Sequence, residues 1–277
     1  MKEVMGVIGY PISHSLSPLM HETAFKELNL EMAYHAFHVH PDRVEEAIAG
    51  IRGLGIKGIN VTIPHKVSVI PYLDEVDELA KEIGAVNTIV NESGRLKGYN
   101  TDGEGFVRSL LEADVVLSDK RVLMVGAGGA SKGVSLALAQ HGLKEIVITN
   151  RTYSKGEELA ENCSKFAVSS ALSLEEAKDK LNDFDIIING TSMGMKPHED
   201  KTPISLDNLS DNAVVCDLIY TPLKTKWLLE AELRGATILN GVEMFVYQGA
   251  LAFEKWTGMK APIEVMRNAV LRQLGGK

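Results

Sequence analysis

Apolar positions along the chain recur with two periods, and the period changes at clusters of Gly, Pro, Asn and Asp. Val4–Gly9, Tyr34–Val39 and Lys57–Thr62 read as strands. Between the first two, Leu19, Met20, Ala24, Phe25 and Leu28 fall at helical spacing behind Pro18, a residue suited to a first helical turn. Pro41-Asp42 opens another helix, which stops near Gly53-Leu54-Gly55. A helix is expected around Val76–Ile83, then a hairpin of Val86–Val90 and Arg95–Tyr99 about Asn91-Glu92-Ser93-Gly94. Gly103–Ala113 reads as a helix leaving this region. A fresh alternation begins at Arg121. Its strands are expected at Val122–Val125, Ile146–Thr149, Phe166–Val168, Ile186–Asn189, Val214–Asp217 and Thr237–Leu239. Helical patterns separate most of them, such as Ala130, Val134, Ala137, Leu138 and His141. Val242–Trp256 and Ile263–Leu274 are helical again.

This alternation predicts the α/β class, with two α/β domains. One comprises residues 1–102 with 242–277, and residues 103–241 form a second, doubly wound unit. No Gly/Ser linker separates the halves, so helices are expected to connect them, with a cleft between. The 277 residues, 45% hydrophobic with nine prolines, supply enough apolar side chains for a core in each. A net charge of −8 lends no support to nucleic-acid or anionic-membrane binding. It leaves room for an anionic ligand, which backbone N–H groups can hold whatever the net charge. Cys163 and Cys216 have no metal-ligand spacing and suggest no disulfide framework, which fits a reducing compartment. Lys2, Glu3 and a short apolar run do not make a signal peptide, and no apolar stretch reaches the roughly 18 residues of a membrane span. A soluble cytoplasmic protein is expected.

Two stretches carry chemistry. In Asn60-Val61-Thr62-Ile63-Pro64-His65-Lys66, Asn60 and Thr62 share one strand face, and Pro64 forces the chain out of the sheet. Lys66 is then presented just past a strand end, where α/β proteins tend to build sites. Taken alone, it is more simply a solvated turn lysine. The second stretch runs from Val122 through Gly126-Ala127-Gly128-Gly129-Ala130-Ser131: an apolar strand, a glycine turn and a helix start. Such glycines let backbone approach a pyrophosphate at a helix N-terminus. Strand before and helix after supply the context that a lone glycine motif lacks. Ser131 stands where the pattern has its third glycine. The next strand ends in Asn150-Arg151-Thr152 with Lys155 nearby, and no carboxylate there awaits a ribose 2′-hydroxyl. A guanidinium, a hydroxyl, an amide and an ammonium suit a 2′-phosphate, which favours NADP over NAD. Thr191, Ser192 and Met193 follow one strand end, and Leu218, Ile219 and Tyr220 the next, on the expected cofactor edge.

These motifs together resemble the shikimate dehydrogenase family, nearly end to end. The resemblance runs through Gly9-Tyr10-Pro11-Ile12-Ser13-His14-Ser15-Leu16-Ser17-Pro18, Asn60–Lys66, Gly84-Ala85-Val86-Asn87-Thr88 and Gly98-Tyr99-Asn100-Thr101-Asp102-Gly103. It continues through the glycine turn, Asn150-Arg151-Thr152, Asn189-Gly190-Thr191, and Gly241-Val242-Glu243-Met244 to Gln248. It implies an N-terminal substrate domain, a Rossmann-like NADP-binding domain, and reversible NADPH-dependent reduction of 3-dehydroshikimate to shikimate in aromatic amino-acid biosynthesis. By resemblance, Lys66 is the acid/base and Asp102 its partner. Ser15 and Ser17, helped by Tyr220, take the substrate carboxylate. Asn60, Thr62, Asn87, Asp102 and Gln248 hold hydroxyls, while Gly241 and Met244 lie near the cofactor. Plainer readings stay open for several: Asp102 and Ser17 as helix caps, Met244 as core. His14 and His65 flank the motifs without an evident partner and are read as structural or peripheral. No metal site is expected. The partner is the small-molecule substrate, with the chain a monomer or homodimer. A quinate/shikimate dehydrogenase of broader range and an NADP-binding regulatory protein are the competing readings. A glutamyl-tRNA reductase-like enzyme would need a nucleophilic Cys near the substrate, and both cysteines fall in the cofactor half.

Overall fold

The computed structural model describes residues 2–275; Met1, Gly276 and Lys277, which the sequence reading assigns to the substrate domain, lie outside the described residues. In chain order the first part runs β1 (Glu3–Gly9), α1 (Ser17–Glu27), β2 (Met32–His38), α2 (Val44–Gly53), β3 (Gly58–Val61), β4 (Glu75–Val76), α3 (Glu78–Ile83), β5 (Thr88–Glu92), β6 (Arg95–Tyr99) and α4 (Asp102–Glu112). Next come β7 (Arg121–Val125), α5 (Gly129–Gln140), β8 (Glu145–Thr149), α6 (Tyr153–Cys163), β9 (Val168–Leu172), α7 (Leu174–Asp179), β10 (Ile186–Asn189), β11 (Val214–Asp217), α8 (Lys226–Leu233) and β12 (Thr237–Leu239). Helices α9 (Val242–Thr257) and α10 (Ile263–Gln273) end the chain. The chain divides into two compact units. One comprises everything up to Gly105 and again from Val246, the other Phe106–Phe245. Both boundaries fall inside helices, α4 and α9.

The first unit holds a six-stranded sheet in the order β2-β1-β3-β5-β6-β4. Strands β1, β2 and β3 are parallel, while β5 runs antiparallel to both β3 and β6. Alternation along β3 sorts its side chains as the pattern predicts. Ile59 and Val61 join a core with Ile8, Ile48, Ile51, Ile89 and Leu96, and Asn60 faces the other way. Helix α9 belongs to this unit from Val246 onward; its Trp256 is buried and donates its indole N–H to the Ile89 carbonyl at 3.0 Å. Leu16, not Ser17, caps α1, and Ser17 with Pro18 makes its first turn.

The second unit is an all-parallel sheet in the order β12-β11-β10-β7-β8-β9. This is the doubly wound dinucleotide-binding order, with its switch point between β7 and β10. Its core joins Leu123, Val125, Val147, Ile187 and Val215 from the sheet with Trp227 and Leu228 from α8. The strand expected at Phe166–Val168 lies later, at Val168–Leu172. Phe166 and Ala167 instead return their N–H groups to the Cys163 carbonyl and close α6. The real strand, Val-Ser-Ser-Ala-Leu, is an edge strand with half-exposed side chains, so it lacks the apolar run that marks its neighbours. The helix expected from Val76 starts two residues later, because Asp77 accepts from Leu79 N–H and caps it. The hairpin's first strand starts at Thr88 rather than Val86.

Candidate functional site

The first unit gathers its polar side chains around the end of β3 and the start of α4. After Val61 the chain leaves the sheet, and the turn through His65 is closed by its N–H to the Thr62 carbonyl at 2.9 Å. The Lys66 carbonyl accepts from Val86 N–H at 2.8 Å, which fixes where the lysine stem starts. Lys66 Nζ donates to Asp102 Oδ2 at 2.6 Å. The lysine side chain is 17% exposed and the aspartate 6%. A charge pair this sheltered loses hydration, and further hydrogen bonds to the carboxylate offset part of that cost. Asp102 Oδ1 accepts from Asn87 Nδ2 at 2.8 Å, and the Asp102 N–H donates to Asn100 Oδ1 at 3.0 Å. Asp102 is the first residue of α4 rather than its cap, and its carboxylate turns to Lys66 and Asn87.

Asn87 and Asn60 are bound into the protein itself. Asn87 Oδ1 accepts from the Thr101 N–H at 2.9 Å and from the Thr88 hydroxyl at 3.0 Å. Its second amide hydrogen goes to Thr101 Oγ1 at 3.0 Å. Asn60 Oδ1 accepts the Tyr34 hydroxyl at 2.7 Å, and Asn60 Nδ2 donates to Thr88 Oγ1 at 3.2 Å and the Asn87 carbonyl at 3.3 Å. The Thr101 hydroxyl reaches the Gln248 carbonyl at 3.0 Å, tying α9 to the same cluster. Thr62 lies next along the chain and is partly exposed. Ser15 Oγ accepts from the Ser17 N–H at 3.3 Å, so those two form their own local pair. His65 is fully buried with Nε2 on the Val39 carbonyl at 2.8 Å, while His14 is exposed. Tyr34, Thr88, Asn100 and Thr101 were not singled out from the sequence. The last three sit inside motifs already noted, and Tyr34 carries no sequence signal beyond a core aromatic.

The second unit builds its polar edge at the switch point. Gly126 follows β7 with φ of +111°, where an added Cβ would stand 3.0 Å from Thr191 Cγ2 and 3.2 Å from the Gly190 carbonyl carbon. Glycine therefore answers both the backbone and the neighbour. Gly128 and Gly129 open α5 with clear space where a Cβ would stand. Ser131 is fully buried, donates to the Gly190 carbonyl at 3.1 Å, and occupies the room that a side chain at 190 would need. Ala127 and Ala130 complete the turn.

Asn189, at the end of β10, orders the adjoining loops. Its Oδ1 accepts from the Thr191 N–H at 2.9 Å and hydroxyl at 2.7 Å, and its Nδ2 donates to the Met193 carbonyl and to Asp217 Oδ1. Asp217 also accepts from the Ile219 N–H at 3.0 Å and the Thr225 hydroxyl at 2.8 Å. Burial nevertheless pushes the Asp217 carboxyl up to about 6, the three donors pulling the other way. Gly241 donates its N–H to the Ile219 carbonyl at 2.9 Å and packs directly on Leu218. Tyr220 stacks on Phe245 at 4.6 Å, and Met244 is buried. At the end of β8, Asn150 Nδ2 donates to the Thr152 carbonyl at 2.8 Å, shaping the turn. Arg151, Thr152 and Lys155 are exposed, and among the described residues neither cationic side chain has an ion-pair or hydrogen-bond partner. Two uncommitted cations beside an open glycine turn fit a phosphorylated dinucleotide. Ser192 is exposed beside Thr191. Among the described residues, no group of three or more His, Cys, Asp and Glu has metal-site geometry.

Comparison with known proteins finds relatives that match along the whole chain. Residues 7–89 match the shikimate dehydrogenase substrate binding domain, residues 109–211 the shikimate/quinate 5-dehydrogenase family, and residues 241–271 the shikimate 5′-dehydrogenase C-terminal domain. Shikimate dehydrogenase (NADP(+)) of Geobacillus sp. (strain WCH70) is 53% identical over 277 residues, covering 100% of both chains. A crystal structure of a shikimate dehydrogenase in complex with NADP+ superposes with a TM-score of 0.91 at 43% identity, covering 99% of this chain and 96% of that one. Shikimate 5-dehydrogenase from Listeria monocytogenes, in complex with shikimate and NAD, has a TM-score of 0.90 at 37% identity, with 96% of each chain covered.

Proposed function

The chain belongs to the shikimate dehydrogenase family, and from that premise we propose that it catalyses the reversible NADPH-dependent reduction of 3-dehydroshikimate to shikimate. The observation that carries the mechanism is the sheltered Lys66–Asp102 pair at 2.6 Å. Reducing a ketone develops negative charge on its oxygen. The Lys66 ammonium, held by Asp102, stabilises that charge and donates the proton. In the reverse direction the neutral amine takes the proton from the hydroxyl. Bound NADPH supplies the hydride, and NADP+ accepts it in reverse.

Other side chains bind and orient. Ser15 and Ser17, with Tyr220, take the substrate carboxylate. Thr62, Asp102 and Gln248 hold ring hydroxyls. Asn60 joins them through the lone pair left on Oδ1, and Asn87, whose amide is fully engaged inside the protein, would exchange one of those bonds to do so. A ligand lacking one of those hydroxyls would strand a buried polar group, so the set favours the polyhydroxylated ring. On the cofactor edge, Gly126 to Ala130 would receive the pyrophosphate. Asn150, Arg151, Thr152 and Lys155 would receive the 2′-phosphate, and Thr191, Ser192, Met193, Leu218, Ile219, Gly241 and Met244 would line the remainder. The uncommitted Arg151 and Lys155 support NADP over NAD. The reading assigns the chain to aromatic amino-acid biosynthesis, and we propose a cytoplasmic location and a monomer or homodimer. No described helix is long and apolar enough to cross a membrane.

Initial rates with shikimate and quinate, each with NADP+ and NAD+, test this reading. Strong turnover restricted to shikimate with NADP+ is the expected result. Comparable turnover of quinate would move the assignment to the quinate/shikimate branch. Cofactor binding without turnover in any pairing would make the chain a regulatory protein.

A further inference from the structure

Tyr34 is a buried phenol that packing alone does not explain. It lies on β2 at 2% exposure, its N–H donates to Glu22 Oε1 at 2.5 Å, and its ring stacks on His21 at 4.5 Å. A phenylalanine would fill that space equally well. The hydroxyl instead reaches over β1 to Asn60 Oδ1 on β3, at 2.7 Å.

The Asn60 amide has one orientation that satisfies both ends: the Asn87 carbonyl can only accept and so takes Nδ2, which leaves Oδ1 for the phenol proton. With Oδ1 on Tyr34, Asn60 Nδ2 faces Thr88 Oγ1 and the Asn87 carbonyl. Thr88 has one proton, and having accepted from Asn60 it donates to Asn87 Oδ1. With Oδ1 occupied, Asn87 turns Nδ2 to Asp102 Oδ1, leaving Asp102 Oδ2 for Lys66. We propose that Tyr34 is a positioning residue for the reaction: its hydroxyl anchors the far end of the hydrogen-bond chain Tyr34–Asn60–Thr88–Asn87–Asp102, which holds the Asp102 carboxylate toward Lys66. The inference rests on the roles given above to Lys66 and Asp102.

Without the phenol, Asn60 Oδ1 loses its buried donor, and the side chain is held only through Nδ2 on Thr88 Oγ1 and the Asn87 carbonyl. A less firmly held Asn60 weakens the placement of Thr88, whose proton goes to Asn87 Oδ1. The Thr101 N–H still donates to Asn87 Oδ1, so the chain loosens rather than reverses. Tyr34→Phe, which keeps the ring and its stacking, should lower kcat/KM for shikimate about tenfold, the scale of one buried hydrogen bond, with KM for NADP+ within about twofold of wild type. Thr88→Val cuts the chain in the middle. In that background, Tyr34→Phe should cost less than about twofold more, because the two changes break one path.

Steady-state kinetics on the four full-length proteins, with thermal melts to establish folding, decide the matter. Wild-type kcat/KM in Tyr34→Phe, equal losses toward shikimate and NADP+, or fully multiplicative losses in the double variant would each overturn the proposal. Should Tyr34→Phe not fold, Thr88→Ser, which keeps the hydroxyl, should recover most of what Thr88→Val loses; equal losses in both overturn the chain. A wild-type protein that does not oxidise shikimate defeats the reading of the site itself, and the proposal with it.

Discussion

Replacing Lys66 with alanine removes the proton donor and leaves its surroundings standing. Asp102 keeps the Asn87 amide on Oδ1 at 2.8 Å and its N–H on Asn100, so the carboxylate stays in place. What disappears is the group that meets charge on the substrate oxygen. Loss of a general acid–base group costs on the order of a hundredfold or more in kcat, about 2.7 kcal/mol of barrier. KM for shikimate should change little, because the ring hydroxyls and carboxylate are assigned mainly to other side chains. A stability cost comes with it. Asp102 Oδ2 loses its partner at a side chain only 6% exposed, and an unsatisfied sheltered acceptor costs about 1–3 kcal/mol. The melting temperature should therefore fall by several degrees, yet the variant should remain folded at the assay temperature, given the usual margin of roughly 5–15 kcal/mol. The measurement is a saturation curve for shikimate at saturating NADP+, paired with a thermal melt. A kcat within about threefold of wild type would remove lysine from the chemistry. A loss carried entirely by KM would make Lys66 a binding group instead.

Arg151→Ala should raise KM for NADP+ about tenfold, the scale of a charge-assisted hydrogen bond, and leave NAD+ nearly unchanged; equal losses for the two cofactors would end the 2′-phosphate assignment. Asp217 supplies a pH test. Its carboxyl is raised from 3.8 to about 6 in the folded chain, so folding favours the protonated form. The stabilisation is full below the unfolded value and is lost as pH rises through about 6, a swing of about 3 kcal/mol. Urea unfolding at pH 4 and pH 7 should show the wild type losing about 2 kcal/mol more stability than Asp217→Asn, most of the full swing because pH 4 lies just above the unfolded value. Parallel losses in the two proteins would mean that the three donors on Asp217 offset its burial.

The sequence pattern was most informative where burial is one-sided or complete. Strands β7, β10 and β11 are apolar runs, and their positions agree closely with expectation. Strand β9 escaped because an edge strand of Val, Ser, Ser, Ala and Leu has no run and no clean alternation. The site divides the same way. Gly126 and Arg151 could be read locally, since a turn and a strand end announce themselves. The pairing of Lys66 with Asp102 links residues 36 apart in the chain, and only resemblance brought them together beforehand. Thr88 stayed invisible because its place depends on register: β3 pairs Asn60 with Thr88, and β5 pairs Thr88 with Tyr99. No local spacing encodes that alignment. Tyr34 sits two strands from Asn60 in the sheet and looked like any core aromatic.

The split origin of the first unit sets an order on its making. Its opening segment leaves the ribosome early, carrying β1 to β6, but the chain from Val246 that completes it arrives last. Phe253 is needed against Phe25, Trp256 against the Ile89 carbonyl, and the Gln248 carbonyl beneath Thr101. The second unit is continuous and is synthesised whole in the interval. Nascent chains therefore finish the dinucleotide-type sheet while the six strands of the other still lack one flank. That exposed apolar flank persists for as long as translation of the intervening residues takes, at roughly 5–20 residues per second. A stop codon anywhere before Val246 leaves the flank bare for good, which makes such fragments natural clients for chaperones and proteases.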